Sequence, residues 1–343
     1  MFSSKKRIAI NGAGRIGRAF FRVAHSRKEI EVVAFNDLTS IENIAYLLKY
    51  DTVYGRSDFE VMVKNETTLL IDGREVKYLS VKDPATLPWK DMNIDVVVES
   101  TGLFTEYEKA RAHITAGAKK VVISAPAKGD PVLADEAMVL LSVNCDSLKD
   151  TNVSSNASCT TNASSPVISI LNEALGIEKA ILNTTHGYTA SQALVDGPSK
   201  KDMREGRAAA MNMVPSSTGA AKAVGKVIKE LDGKFDGISV RVPVVAGSIA
   251  DITFISKRDT TVEEVNKILT DASKTDKWSK IFTVTNEDLV SSDIIGNSHA
   301  SIADLAMTRV VGGNLVKVLA WYDNEYGYTN TLVDHVIKTA KFI

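Results

Sequence analysis

Cysteine is nearly absent from this chain: its 343 residues hold two, Cys145 and Cys159, with no paired spacing. That scarcity leaves no disulfide framework or structural zinc site to build a fold on, and it fits a reducing compartment. Net charge is also nearly absent, at −1, so there is no bulk electrostatic case for nucleic acid or an anionic membrane as a primary partner. No apolar run reaches the length needed to span a bilayer. Internal repeats, low-complexity tracts and long linkers are missing too. Met1-Phe2-Ser3-Ser4 passes through three cations straight into Ile8-Ala9-Ile10, too short for a signal-peptide core, so the expected location is cytoplasmic. In that compartment the Asn-x-Ser/Thr matches at Asn65, Asn156 and Asn183 carry no meaning.

What the chain does have is a cysteine in an unusual place. Ala157-Ser158-Cys159-Thr160-Thr161-Asn162 precedes Val167, Ile168, Ile170, Leu171 and Leu175, whose spacing is helical, so Cys159 is expected at a helix N-terminus. The positive end of the helix dipole favours thiolate over thiol, and with a nearby imidazole it can bring a thiol of pKa ~8.5 down to ~3.5–7.5. The imidazole candidate is His186, delivered at the end of the β-prone stretch Ala180-Ile181-Leu182-Asn183-Thr184-Thr185. A lone helical cysteine is ordinarily a small buried hydrophobe. The polar Ser-Cys-Thr-Thr-Asn surroundings speak for the nucleophile.

The first half reads as a dinucleotide-binding domain. The strand Arg7-Ile8-Ala9-Ile10-Asn11 runs into Gly12-Ala13-Gly14-Arg15-Ile16-Gly17 and then a helix through Phe20, Phe21 and Val23. The first glycine permits the tight turn, the second lets backbone approach a pyrophosphate, and the third allows close helix–strand contact. A second strand, 31–36, ends in Asp37, where an acid meets a ribose 2′-hydroxyl and repels a 2′-phosphate, which favours NAD over NADP. Strand patterns at 94–99 and 120–124 flank a helix-like segment near Glu106 to Ala116, continuing the order of a parallel sheet. Gly219 to Lys226 imitates a phosphate loop but fails on spacing and on Val227, which stands where Ser or Thr would hold magnesium. No metal site is expected.

After about Ser155 the pattern changes, with strands at 238–242 and 315–320 that suggest an antiparallel sheet punctuated by Gly296, Gly312 and Gly313. The fold class expected is α/β. A doubly wound parallel-sheet dinucleotide domain spans 1–157, an α+β catalytic domain with a mainly antiparallel sheet spans 158–324, and residues 325–343 form a C-terminal helix that packs back on the first domain. Arg241 sits mid-strand between Val240 and Val242, where a charge needs an anionic partner, either a bound ligand or a structural salt bridge. Thr218-Gly219 reads locally as a helix cap.

Taken together these motifs resemble the phosphorylating glyceraldehyde-3-phosphate dehydrogenase family along essentially the whole chain. The residues that carry the resemblance are Asn11 to Arg18, Ser124-Ala125-Pro126-Ala127-Lys128, Ser155 to Asn162, Pro215 to Lys222, and Trp321-Tyr322-Asp323-Asn324-Glu325-Tyr326-Gly327. The resemblance implies Cys159 as nucleophile, His186 as base, and the Cys159 amide with His186 as oxyanion donors. It implies Thr189 and Arg241 at the substrate phosphate, and Ser158, Thr160, Thr218 and Gly219 at inorganic phosphate. Gly12, Gly14, Arg15, Ile16, Gly17, Asp37, Ser124 and Asn324 would bind NAD, with Asn324 orienting the nicotinamide carboxamide. The implied substrates are glyceraldehyde 3-phosphate and inorganic phosphate. A homotetramer is implied by the loop from Thr189 to Arg207, where Pro198 resembles a residue placed near a neighbouring subunit's ribose.

Three positions depart from the family pattern: Ala13 replaces Phe, Ala163 a second Cys, and Cys145 a His. Ala13 is expected to loosen packing around the adenosine, and Ala163 leaves Cys159 without a nearby resolving thiol. Two other readings compete: an erythrose-4-phosphate dehydrogenase that uses water as acyl acceptor, and a non-catalytic dinucleotide- or partner-binding protein. The intact Ser-Ser-Thr-Gly motif weighs against the first, and retention of Cys159 and His186 against the second.

Overall fold

A computed structural model describes residues 5–199 and 202–343; Met1–Ser4, and Lys200 and Lys201 of the 189–207 loop, lie outside the described residues. The chain forms two units. One holds residues up to Val139 with Asn144–Ala157 and Thr329–Ile343, and the other holds Leu140–Val143 with Ser158–Tyr328. Four residues before the expected boundary, 140–143, thus belong to the second unit, and so do 325–328.

The first unit is built on a nine-stranded sheet. Its spatial order is Glu136–Met138, Val153–Ser155, Lys120–Ile123, Val96–Glu99, Lys6–Asn11, Ile30–Asn36, Arg74–Leu79, Thr68–Ile71, Val61–Asn65. Neighbours pair in parallel from the first of these to Arg74–Leu79, and the last two strands add an antiparallel edge. Buried on both faces, the central strands are near-continuous apolar runs: Ile8, Ala9, Ile10, Val96, Val97, Val98, Val121, Val122 and Ile123 are all fully buried. The chain moves outward from Lys6–Asn11 in one direction and returns to Val96–Glu99 on its other side, so the strand order reverses between these two neighbours. Ligands of doubly wound sheets bind at such a switch point, outside the carboxyl ends of the strands.

The helix Arg15–Ala24 turns Phe20, Phe21, Val23 and Ala24 inward. The expected helix between the 94–99 and 120–124 strands is instead two single turns, Tyr107–Ala110 and Ala112–Thr115, broken at Arg111. Arg111 itself keeps helical dihedrals and its amide bonds Tyr107 O at 3.0 Å, while its side chain pairs with Asp135 at 2.6 Å and Glu136 at 3.0 Å.

The second unit has a seven-stranded sheet in the order Val214–Ser217, Phe235–Val242, Ile177–Gly187, Ser248–Ser256, Leu315–Tyr322, Ser301–Val311, Phe282–Thr285. It is mainly antiparallel, with parallel pairing of Ile177–Gly187 to Phe235–Val242 and of Phe282–Thr285 to Ser301–Val311. The alternate residues Leu182, Ile252, Phe254, Val316 and Val318 are buried. On the opposite parity, Ile181, Ile238, Val311 and Leu315 are exposed. The helices Cys159–Leu175 and Val262–Ser273 pack together. Among the described residues no helix is long and apolar enough to cross a membrane.

The C-terminal helix runs Tyr326–Ala340. Its residues from Thr329 onward count with the first unit, where His335 is fully buried, Nδ1 2.9 Å from Asn156 Oδ1 and Nε2 2.9 Å from Ser154 Oγ. Burial, with the Lys338 charge nearby, holds the His335 imidazole down to about 3. The unfolded chain takes up this proton near ~6.5. Stability from the neutral ring is therefore complete above that value and is lost as pH falls toward 3. The urea midpoint of unfolding is expected to fall between pH 7 and pH 5, and the fall to be shallower in His335→Gln; parallel slopes would remove His335 from the acid sensitivity.

Candidate active site

Ser158 caps the helix Cys159–Leu175, its hydroxyl accepting the Thr161 amide at 3.0 Å. The helix therefore starts on the cysteine itself, as the sequence pattern implies. Just upstream, Ala157 is fully buried with φ at 56°, a left-handed conformation uncommon outside glycine. Sequence reading passed over it.

His186 reaches the sulfur from the end of Ile177–Gly187, with Nε2 3.4 Å from Cys159 Sγ. Parallel pairing sets His186 directly opposite Arg241. The two side chains lie abreast, Arg241 Nη1 2.6 Å from His186 Nδ1. Gly187 O lies at the same 2.6 Å from Nδ1. When Nδ1 carries the proton it donates to Gly187 O and leaves the Nε2 lone pair facing the sulfur; when Nδ1 accepts from the guanidinium, the ring proton sits on Nε2.

The titration directions differ from the sequence expectation of a lowered thiol. Burial pushes the Cys159 thiol up, against the Arg241 charge, the Thr160 hydroxyl and the Thr160 and Cys159 amides, which pull it down. Burial and then the Arg241 charge hold the His186 imidazole down to about 3, against its bond to Gly187. Desolvation penalises both charged forms.

Arg241 has no carboxylate partner among the described residues, and its Nε is buried without a hydrogen bond. That decides the alternative left open by the sequence: no structural salt bridge neutralises this charge. Thr189 follows two residues after the His186 strand, half-buried, its hydroxyl 3.1 Å from Ser191 Oγ. Thr218 accepts the Ala220 amide at 3.2 Å and Gly219 is exposed at the start of the helix Ala220–Val227. Neither residue makes a hydrogen bond to Cys159, His186 or Arg241 among the described residues. Thr160 is buried with its hydroxyl 2.8 Å from Tyr322 OH.

Tyr322 is a residue that sequence reading quoted but gave no role. Its hydroxyl joins Thr160 to Thr184 Oγ1, 2.7 Å away, and its ring lies edge-on to His186 at 5.9 Å. The strand alternation that makes Tyr322 inward-facing was a usable signal. Asn324 Oδ1 accepts from the Gly247 amide and Ser248 Oγ, both at 3.0 Å, which orients the amide so that its NH2 group is left to donate.

The dinucleotide residues gather separately in the first unit. A Cβ on Gly12 would stand 2.6 Å from the Thr101 amide, and one on Gly17 would stand 2.0 Å from Gly12 O. Gly14 is exposed with nothing within 4 Å of the same position. The turn is closed where it packs and open where a pyrophosphate would lie, so these residues fit the group. Ile16, the second residue of the helix, is half-buried. Asp37 Oδ2 accepts the Ala13 amide at 2.7 Å and Oδ1 the Thr39 amide at 2.9 Å. Ala13 itself is buried, and its carbonyl accepts from Arg18 Nη1 at 2.8 Å, so its backbone is held at both ends. Arg15 pairs with Asp51 at 2.9 Å. Ser124 follows the strand Lys120–Ile123, its amide bonded to Glu99 O at 2.9 Å.

A doubly wound dinucleotide unit joined to a mainly antiparallel unit with a thiol–imidazole pair defines the class: a nicotinamide-dependent dehydrogenase with a cysteine centre. Residues 6–107 match the glyceraldehyde 3-phosphate dehydrogenase NAD binding domain model, and residues 158–324 match the C-terminal domain model of the same enzyme. Relatives include glyceraldehyde-3-phosphate dehydrogenase 2 of Kluyveromyces marxianus, 47% identical over 336 residues, covering 98% of this chain and 99% of that one. Glyceraldehyde-3-phosphate dehydrogenase of Mycobacterium avium is 45% identical over 342 residues, with 98% of each chain covered. The chain belongs to the glyceraldehyde-3-phosphate dehydrogenase family.

Because Arg241 lowers the thiol and His186 is its nearest proton acceptor, inactivation by iodoacetamide should move to higher pH in both Arg241→Leu and His186→Asn. Profiles that coincide with wild type in both variants would mean that neither group acts on the sulfur.

Proposed function

We propose that this chain catalyses the NAD-dependent, phosphorylating oxidation of glyceraldehyde 3-phosphate to 1,3-bisphosphoglycerate through a thioester on Cys159. The observation that carries the reading is the Cys159–His186 contact of 3.4 Å beside an Arg241 that no carboxylate neutralises. Residues 1–157 serve as the NAD-binding domain, 158–324 as the catalytic domain and 325–343 as a returning helix.

His186 Nε2 takes the thiol proton as Sγ bonds to the aldehyde carbon, and the carbonyl electron pair collects on oxygen. The Cys159 amide, in the first turn of its helix, and the imidazole proton stabilise that oxyanion; losing such a donor typically costs ~10²–10³ in rate. His186 passes that proton to the oxygen, giving the hemithioacetal hydroxyl, and takes it back as the carbon is oxidised. Bound NAD supplies the acceptor for the hydride that leaves the same carbon. An oxygen of inorganic phosphate next attacks the thioester carbon, the C–S bond breaks, and sulfur departs as thiolate. Arg241 and Thr189 receive the substrate phosphate, while Ser158, Thr160, Thr218 and Gly219 receive inorganic phosphate. Gly12, Gly14, Arg15, Ile16, Gly17, Asp37 and Ser124 seat the dinucleotide, and Asn324 donates its amide hydrogens to the nicotinamide carboxamide.

The exposed sheet face of Ile181, Ile238, Val311 and Leu315 supports self-association, and with the 189–207 loop it supports a homotetramer. The reading includes a cytoplasmic, glycolytic setting, in keeping with two free cysteines.

NADH formation should continue over many turnovers only with phosphate, and collapse without it to a single burst, because the thioester otherwise waits on slow hydrolysis. Arg241→Leu should impair glyceraldehyde 3-phosphate far more than unphosphorylated glyceraldehyde. Turnover indifferent to phosphate would end the phosphorylating reading, and equal losses on both aldehydes would end the Arg241 assignment.

Asp37→Ala should narrow the preference for NAD over NADP, since the carboxylate both bonds the 2′-hydroxyl and repels a 2′-phosphate. The ratio of kcat/KM for the two cofactors measures it, and an unmoved ratio would count against Asp37.

A further inference from the structure

A chain of buried polar groups crosses the strand ends beneath the glycine turn, and nothing in the proposed chemistry uses it. Asn36 is fixed first: its Oδ1 accepts the Val81 amide at 2.9 Å and its Nδ2 donates to Val81 O at 2.9 Å. The same Nδ2 donates to Asn11 Oδ1 at 2.7 Å, which leaves Asn11 Nδ2 to donate to Glu99 Oε2 at 2.6 Å. From the other side, Trp89 Nε1, which can only donate, lies 3.0 Å from His113 Nδ1. That makes Nδ1 an acceptor and puts the ring proton on Nε2, 3.1 Å from the same Glu99 oxygen. Glu99 Oε1 accepts the Thr101 amide at 2.8 Å and the Thr101 hydroxyl.

Both ends of this chain are anchored by groups that cannot reverse, a backbone amide and an indole, so every donor is directed at Glu99. Only an acceptor on both oxygens satisfies them. The residue is 1% exposed, so water cannot substitute. What the carboxylate holds is the segment that closes the turn. Glu99 lies in register with Asn11 on the neighbouring strand at the switch point. Ser100 Oγ donates to Gly12 O at 2.7 Å and to Asn11 O at 3.1 Å, and the Thr101 amide is the atom on which Gly12 packs.

We infer that Glu99 is a positioning residue for the dinucleotide: its buried carboxylate gathers Asn11, His113 and Thr101 and so fixes the Ser100–Thr101 backbone against the Gly12 turn. The inference rests on the reading of that turn as the pyrophosphate seat. Glu99→Gln keeps the shape but must turn an amide NH2 toward either the Thr101 amide or the Asn11 and His113 donors.

Calorimetric titration with NAD decides it. Glu99→Gln is expected to raise the Kd for NAD by about tenfold, the effect of losing one charge-assisted hydrogen bond. Exchange of the Thr101 amide proton should accelerate, and KM for NAD should rise more than kcat falls. The alkylation rate of Cys159 without NAD, read in the other unit, should stay at the wild-type value. Wild-type chain that fails to bind NAD would defeat the reading of the turn itself. Wild-type affinity in Glu99→Gln, measured well below its melting temperature, would overturn the Glu99 role even if that variant melts earlier. Should Glu99→Gln not fold, Ser100→Ala, at a half-buried position, removes the bond to Gly12 O from the other side; a Kd raised severalfold supports the inference and an unchanged one overturns it.

Discussion

The bond from the Thr161 amide to the Ser158 hydroxyl decides which groups are left over at the start of the Cys159 helix. A helix begins with amides that have no partner four residues back, and a side-chain cap removes some of them from play. Here the cap takes Thr161, and the amides of Cys159 and Thr160 remain to bond the sulfur. A cysteine one turn later would face amides already committed to carbonyls. The left-handed Ala157 immediately before the cap directs the chain into this start, and a β-branched residue there would be strained.

The second constraint is sheet register. His186 and Arg241 come from strands about fifty residues apart, and only parallel pairing puts them abreast. A shift of one residue in either strand would turn one of the two to the opposite face, where Ile181 and Ile238 are exposed. The parity that buries Leu182 and Ile252 therefore also aims the imidazole at the sulfur. Tyr322, two strands away on the same face, ties the helix to the sheet through Thr160 and Thr184, so helix start and strand end cannot drift apart without breaking a buried hydroxyl chain.

How much of this was legible in the sequence follows from how local each feature is. The glycine turn, Asp37 at the end of the second strand, and Cys159 at a helix start depend on neighbours within a few residues, and periodicity with capping chemistry exposes them. The split at Arg111 carries no breaker signal, since 106–116 holds neither glycine nor proline. Nor was the partner of Arg241 legible: a mid-strand charge signals only that something must answer it, and sequence alone left a carboxylate or a ligand open. The polar chain under the turn joins residues 11, 36, 81, 89, 99, 101 and 113, and its direction is set by an amide at one end and an indole at the other. No window of sequence contains both. The dipole and the imidazole beside the thiol are visible in a motif, whereas the burial that opposes them is not.

Arginine at 241 rather than lysine also follows from geometry. One guanidinium nitrogen is spent on His186 Nδ1 at 2.6 Å, while Nε is buried with nothing to bond. A lysine ammonium is a point charge that would have to choose between the imidazole and a phosphate. The planar fork can hold the ring with one arm and present the others, already oriented, to an anion. A buried donor left unpaired ordinarily costs about 1–3 kcal/mol. If Arg241 receives the substrate phosphate as proposed, that anion would pair the donor on binding, and the cost would be recovered as affinity for a charged substrate.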